Sequence, residues 1–295
     1  MRRPTDEQLD VLAPMEKVAF AIADRVNRWP LLKGPAQAYL RTFGKSWVYH
    51  CTKHLLHVYG REKLADLAPD RGVMLASNHR SFFDLYVISS VLFRSAPWVS
   101  RLFFPVRSDY FYDRPDGVVV NALMSALAMY PPVLRDPKKR AFNQFTVDVL
   151  ADVLAEPGAV VGMHPEGTRN KTDDPYTLLP AQPGVGQIAL AARPIVVPMF
   201  TLGLTNDFPR QVASNWTGKG EPITLVIGDP IDLDALYQEP PRLRTYKRIA
   251  DRISSVITAL GQEEREIRRR EGFPSLEPVS RVTPRRQGPP KADVA

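Results

Sequence analysis

The order of apolar and polar positions divides the chain into three stretches. Over residues 1–60 the pattern is helical. Met15, Val18, Ala19, Ile22 and Val26 recur at the spacing of one helix face. Pro30 and Pro35 then interrupt the stripe. A second stripe runs through Tyr39, Leu40, Phe43, Trp47, Val48 and Leu55, with Arg41, Lys45, Lys53 and His57 between them. Aromatic residues flanked by bases suit a helix lying at a membrane–water interface; the same stripe would also serve a helix packed on its own core.

From about residue 70 short apolar runs alternate with longer helical patterns. Residues 72–77, 97–104, 129–134, 158–163, 195–202 and 222–228 predict strands, and 82–94, 117–128, 138–155, 185–192 and 241–262 predict helices. This alternation predicts an α/β fold: a mixed, partly parallel sheet flanked by helices, with an N-terminal helical extension. Pro198 is expected to confine strand 195–202 to a sheet edge or a bulge. The expected organisation is an amphipathic element over 1–60, an α/β domain over 61–262 and a tail over 263–295. Residues 265–295 hold eight Arg/Lys against four Asp/Glu with several prolines, which predicts a basic, disordered tail.

Composition narrows the function classes. With 295 residues, 44% hydrophobic and 24% charged, the chain can bury a proper core. A single cysteine, Cys51, rules out an internal disulfide framework and a Cys-rich zinc site, and fits a reducing, cytosolic address. No run of 18 apolar residues is present, and the start MRRPTDEQLD lacks the apolar stretch of a signal peptide, so the protein is expected inside the cell. The net charge of +7 favours anionic partners (nucleic acid, anionic lipid or phosphorylated ligands) without choosing among them. Gly184-Val185-Gly186 is only a fragment of a phosphate-cradling loop.

Two segments carry candidate chemistry. Ser77-Asn78-His79-Arg80-Ser81-Phe82-Phe83-Asp84 follows an apolar strand and opens an apolar helix. On a regular helix His79 and Asp84 would point about 140° apart. They meet only if His79 lies on the turn and Asp84 in the first helical turn. Ser81 as N-cap allows this, and Ser81-x-x-Asp84 is equally a capping box. A His–carboxylate dyad would orient the imidazole and let its free nitrogen take a proton from a substrate hydroxyl. The helix N-terminus would help to keep the base neutral. The second segment, His164-Pro165-Glu166-Gly167-Thr168-Arg169, ends strand 158–163, the end at which open α/β sheets bind ligands. It offers an acceptor, a close-approach glycine, a hydroxyl and a phosphate-gripping arginine, or it is a polar loop with a surface ion pair.

Together the two segments resemble the glycerolipid acyltransferases, most closely the 1-acylglycerol-3-phosphate acyltransferase type. The blocks are SNHRSFFD, then HPEGTRN, then the proline-interrupted strand Pro194–Pro198, in order and over about residues 65–230. The resemblance implies acyl transfer from acyl-CoA or acyl carrier protein to a lysophospholipid hydroxyl, with His79 and Asp84 catalytic and no covalent intermediate. It implies substrate binding by Glu166, Gly167, Thr168, Arg169 and a further arginine. Arg135 fits that arginine by spacing; Arg114 fits by residue type. No cofactor and no metal are expected, and His50, His54 and His57 lack a companion carboxylate. His164 is expected to be structural. The implied partners are the acceptor, the thioester donor and an anionic membrane surface, not nucleic acid. The implied location is peripheral, on the inner face of the cell membrane. Alternatives are a different lysolipid or glycolipid acceptor, or a non-catalytic basic protein that binds membrane or nucleic acid.

Overall fold

The computed structural model describes residues 1–276. Its main sheet has six strands in the order β1-β8-β7-β2-β6-β3. These are β1 (Leu56–Tyr59), β2 (Val73–Ser77), β3 (Arg101–Phe103), β6 (Ala159–Met163), β7 (Ile195–Leu202) and β8 (Ile223–Ile227). Only β7 and β8 pair antiparallel; the other four pairings are parallel. A second, two-stranded parallel sheet joins β4 (Val106–Arg107) to β5 (Pro132–Val133). The expected mixed, partly parallel α/β fold is therefore the one observed. All residues of β2 and β8 are buried, as continuous apolar runs in a helix-covered sheet require.

Helix Arg140–Leu154 packs on β6, and helix Leu243–Arg270 packs on β7 and on helix Pro183–Ala192. The last two approach so closely that a Cβ on Gly186 would run into the Tyr246 carbonyl. That accounts for Gly186 without a ligand.

Several expectations are corrected. Pro198 lies mid-sheet rather than at an edge. Its carbonyl accepts from Gly228 N at 2.9 Å, just past the end of β8, where the ladder needs no donor from residue 198. Residues 56–59, expected to be helical, form β1 against β8; four residues are too few to separate the two periods. Pro35 does not end a helix but sits inside Pro30–Tyr39. Leu31, whose carbonyl it leaves without a helical donor, faces solvent. The final helix runs to Arg270, eight residues into the expected tail, because Glu264, Ile267 and Arg268 are buried against the domain. The rest of that expected tail, from 277, lies outside the described residues.

The N-terminal helices are keyed into the α/β core. On helix Pro14–Arg28 the buried side is Glu16, Ala19, Phe20, Ala23 and Asn27, while Val18 and Ile22 of the expected stripe are exposed. Phe20 stacks edge-on against Phe142 and Phe145. Buried Lys33 donates to Asn27 Oδ1 at 2.6 Å and to the Leu102 carbonyl at 3.1 Å, above the Phe103 ring. Among the described residues no helix is long and apolar enough to cross a membrane.

Candidate active site

Strands β7, β2 and β6 are neighbours, and β2 and β6 run parallel. The segments leaving β2 and β6 therefore emerge side by side at one edge of the sheet. Asn78 clamps β2 to β7: its Nδ2 donates to the Thr201 carbonyl and its Oδ1 accepts from Thr201 N, both at 2.8 Å. His79 follows on the loop. Helix Asp84–Ser95 starts at Asp84, so the carboxylate stands at the first helical position.

His79 Nδ1 lies 3.1 Å from Asp84 Oδ2. The same oxygen accepts from Arg80 N and Ser81 N at 2.8 Å each. Asp84 thus contacts the His79 ring and caps its own turn at once. Ser81 Oγ in turn accepts from Phe83 N at 3.1 Å. A carboxylate at Nδ1 leaves the proton on that nitrogen and Nε2 free as an acceptor. Burial pushes the His79 imidazole well below its ordinary value, and Arg169 and Arg107 push the same way. Burial pushes Asp84 up to about 6, opposed by His164, by the Ser81 and Arg80 N–H groups and by the Arg80 charge. Burial, not the helix N-terminus, is therefore the main cause of a neutral imidazole.

The loop after β6 holds His79 in place. Glu166 is 1% exposed. Its Oε1 accepts from His79 N at 2.9 Å and its Oε2 from Leu179 N at 2.8 Å. Asn170 N donates to the His79 carbonyl at 2.7 Å. Both Glu166 oxygens thus accept backbone donors, one of them the N–H of His79. Gly167 has φ +62°, the left-handed region that closes the turn onto the His164 carbonyl. Thr168 is half-buried and Arg169 exposed, with Arg169 Nη1 3.1 Å from Asn206 Oδ1.

Three guanidiniums share this edge. Arg107 ends β4 and grips the Gly167 carbonyl through Nε at 2.9 Å and Nη2 at 2.6 Å. Arg135 and Arg169 are both near enough to lower its pKa, after burial. Arg135 follows β5, the partner strand of β4. Arg114 is exposed and paired with Asp116 through two 3.0 Å bonds.

The profile of the Acyltransferase family matches residues 55–201, which contain the dyad, the loop and all three arginines. This chain belongs to the acyltransferase family. Among curated proteins, none matches it. A solved structure of the 1-acyl-sn-glycerophosphate (LPA) acyltransferase PlsC from Thermotoga maritima is similar at 17% identity, with a TM-score of 0.47, over 88% of this chain and 86% of that one.

In this acyltransferase, sequence reasoning missed Arg107. Its strand has two residues, and no local pattern announces it; a lone cation two residues past the Phe103-Phe104-Pro105 run was the available signal. The three N-terminal histidines do not gather. His50 meets the Ser46 carbonyl, His54 the Trp216 ring and His57 the Phe273 ring. His79, Asp84 and His164 do bring donor atoms within 4.8 Å of one another. The two imidazoles, however, lie parallel with centroids 3.9 Å apart. Lone pairs in the planes of stacked rings run side by side and do not converge on one ion.

Proposed function

We propose that this acyltransferase moves a fatty acyl group from acyl-CoA or acyl carrier protein to the hydroxyl of 1-acylglycerol-3-phosphate, giving phosphatidate. The observation that carries the reading is the 3.1 Å His79–Asp84 contact, beside three arginines at the open ends of parallel strands. His79 Nε2 takes the hydroxyl proton as the oxygen attacks the thioester carbonyl. Asp84 stabilises the imidazolium that forms. When the tetrahedral intermediate collapses, the C–S bond breaks and the proton passes from Nε2 to the leaving thiolate. A positioned base of this kind contributes roughly 10²–10⁴-fold in rate. Arg107, Arg135 and Arg169 face the phosphate; of the two arginines that the sequence offered for this role, the shared neighbourhood favours Arg135 over the ion-paired Arg114.

The membrane is approached through the N-terminal face. Leu31 (86% exposed), Phe43 (58%) and Leu123 (64%) project from touching elements, joined where Tyr39 Oη donates to the Leu123 carbonyl. Arg25, stacked over Trp29 at 4.5 Å, and Arg41 and Lys45, which flank Phe43 in sequence, supply positive charge. Apolar tips with flanking cations suit an anionic interface at which the protein rests peripherally, on the inner face of the cell membrane. The test is thiol release by the purified chain against a panel of lysolipids. His79→Ala is expected to abolish transfer while fold and vesicle binding persist, and retained turnover would sink the assignment.

A further inference from the structure

His164 takes no part in the chemistry proposed above, yet it lies flat against the base. The two ring planes differ by 1° at a centroid separation of 3.9 Å. His164 Nδ1 is 3.0 Å from the Ser77 carbonyl and 3.2 Å from Ser77 Oγ. A carbonyl carries no proton, so Nδ1 is the protonated nitrogen and Nε2 holds a lone pair. Nε2 is buried and has no hydrogen-bond partner among the described residues. The position therefore retains a polar ring whose second nitrogen is unused, although buried polar atoms are ordinarily paired.

The geometry of His79 shows what this ring contributes. The Asp84 contact fixes one ring atom, Nδ1. Glu166 and Asn170 fix the backbone on either side of the Cα. None of these prevents the imidazole from tilting about the line joining Nδ1 to the carboxylate. Only a flat group against its face does so, and His164 is that group. Ser77 pins the His164 plane in turn. The groups around the pair are Asp84 and Arg80 from the first segment, Glu166 and Arg169 from the second, and Arg107 from β4.

We propose that His164 is a positioning residue: its stacked ring sets the plane of His79, and thereby the direction in which Nε2 meets the acceptor hydroxyl. The inference rests on His79 being the base. It requires flatness rather than a second titrating group. His164→Phe, which keeps a flat ring, is expected to hold kcat within about threefold of the parent. His164→Leu, of similar bulk without a plane, is expected to lower kcat by roughly 10–100-fold, as misoriented catalytic groups do, with KM for both substrates little changed.

A readout independent of turnover accompanies the kinetics. The ring current of a stacked aromatic moves the His79 Cε1–H proton resonance upfield. The shift is expected in the parent and in His164→Phe and lost in His164→Leu, with thermal melts confirming that each variant is folded. Equal kcat in the folded Phe and Leu variants would overturn the proposal, as would an unshifted resonance in the parent. His79→Ala separates the two readings: if that variant still turns over, the base assignment falls, while the resonance arm still reports whether His164 sets the ring plane.

Discussion

The Glu166 carboxylate accepts the backbone N–H of His79 across 87 positions of sequence. The loop that follows β6 is therefore the support on which His79 rests, and its glutamate ties that loop to the segment leaving β2. Glu166→Ala is expected to leave the His79 and Leu179 N–H groups without acceptors. Each costs about 1–3 kcal/mol, and the freed His79 should lower kcat. Glu166→Gln keeps one acceptor but turns a donor toward the other N–H, so it should restore only part of the stability. Urea midpoints of the three proteins check this order.

Asp84 is expected to oppose folding at neutral pH while serving catalysis. Its carboxyl is raised from 3.8 to about 6, so its ionisation costs the folded state roughly 3 kcal/mol at pH 7. A raised carboxyl favours the folded state fully below the unfolded value, and that contribution is lost as pH rises through about 6. Asp84→Asn should therefore be more stable than the parent at pH 7, with the difference shrinking toward pH 4, and it should be inactive. A variant less stable than the parent at pH 7 would contradict this.

The acid side of the activity profile should belong to the same dyad. As pH falls through about 6, Asp84 takes a proton and no longer stabilises the imidazolium. kcat/KM is expected to fall about tenfold per pH unit below that point. Initial rates between pH 5 and 8 measure the limb.

Stability should also decline in acid, for a different reason. His79 and His164 are both pushed from 6.5 down to about 3 by burial. Over that window the unfolded chain holds more protons on them, so stability falls as pH falls. Asp84 opposes this with one proton between 3.8 and about 6. Of these three groups the two histidines outweigh the carboxyl, and His164→Phe should lessen the fall in stability toward acid. Denaturant midpoints at pH 4, 5 and 6 separate the two proteins.

Arg107 and Arg114 offer a paired test of the anion site. Arg107→Lys keeps the charge but loses the fork on the Gly167 carbonyl, and should raise KM for a phosphorylated acceptor by about 10-fold. Arg114→Ala removes an exposed ion pair and should leave KM unchanged. Equal effects would argue against an anion site built around Arg107.

The sequence by itself determined the central strands and the two reactive segments. Buried parallel strands such as Val73–Ser77 and Ala159–Met163 are continuous apolar runs that solvent exposure would not tolerate. A histidine on the turn before Asp84 needs only local geometry to pair with it. Tertiary structure alone decided the rest. Pro198 is tolerated mid-sheet because of where β8 ends, a fact held by another strand. Val18 and Ile22 face outward because Phe20 finds its socket between Phe142 and Phe145, more than a hundred residues away. Glu166, His164 and Arg107 acquire their places through strands that become neighbours only when the sheet assembles, and one-dimensional periodicity carries no record of which strands those will be.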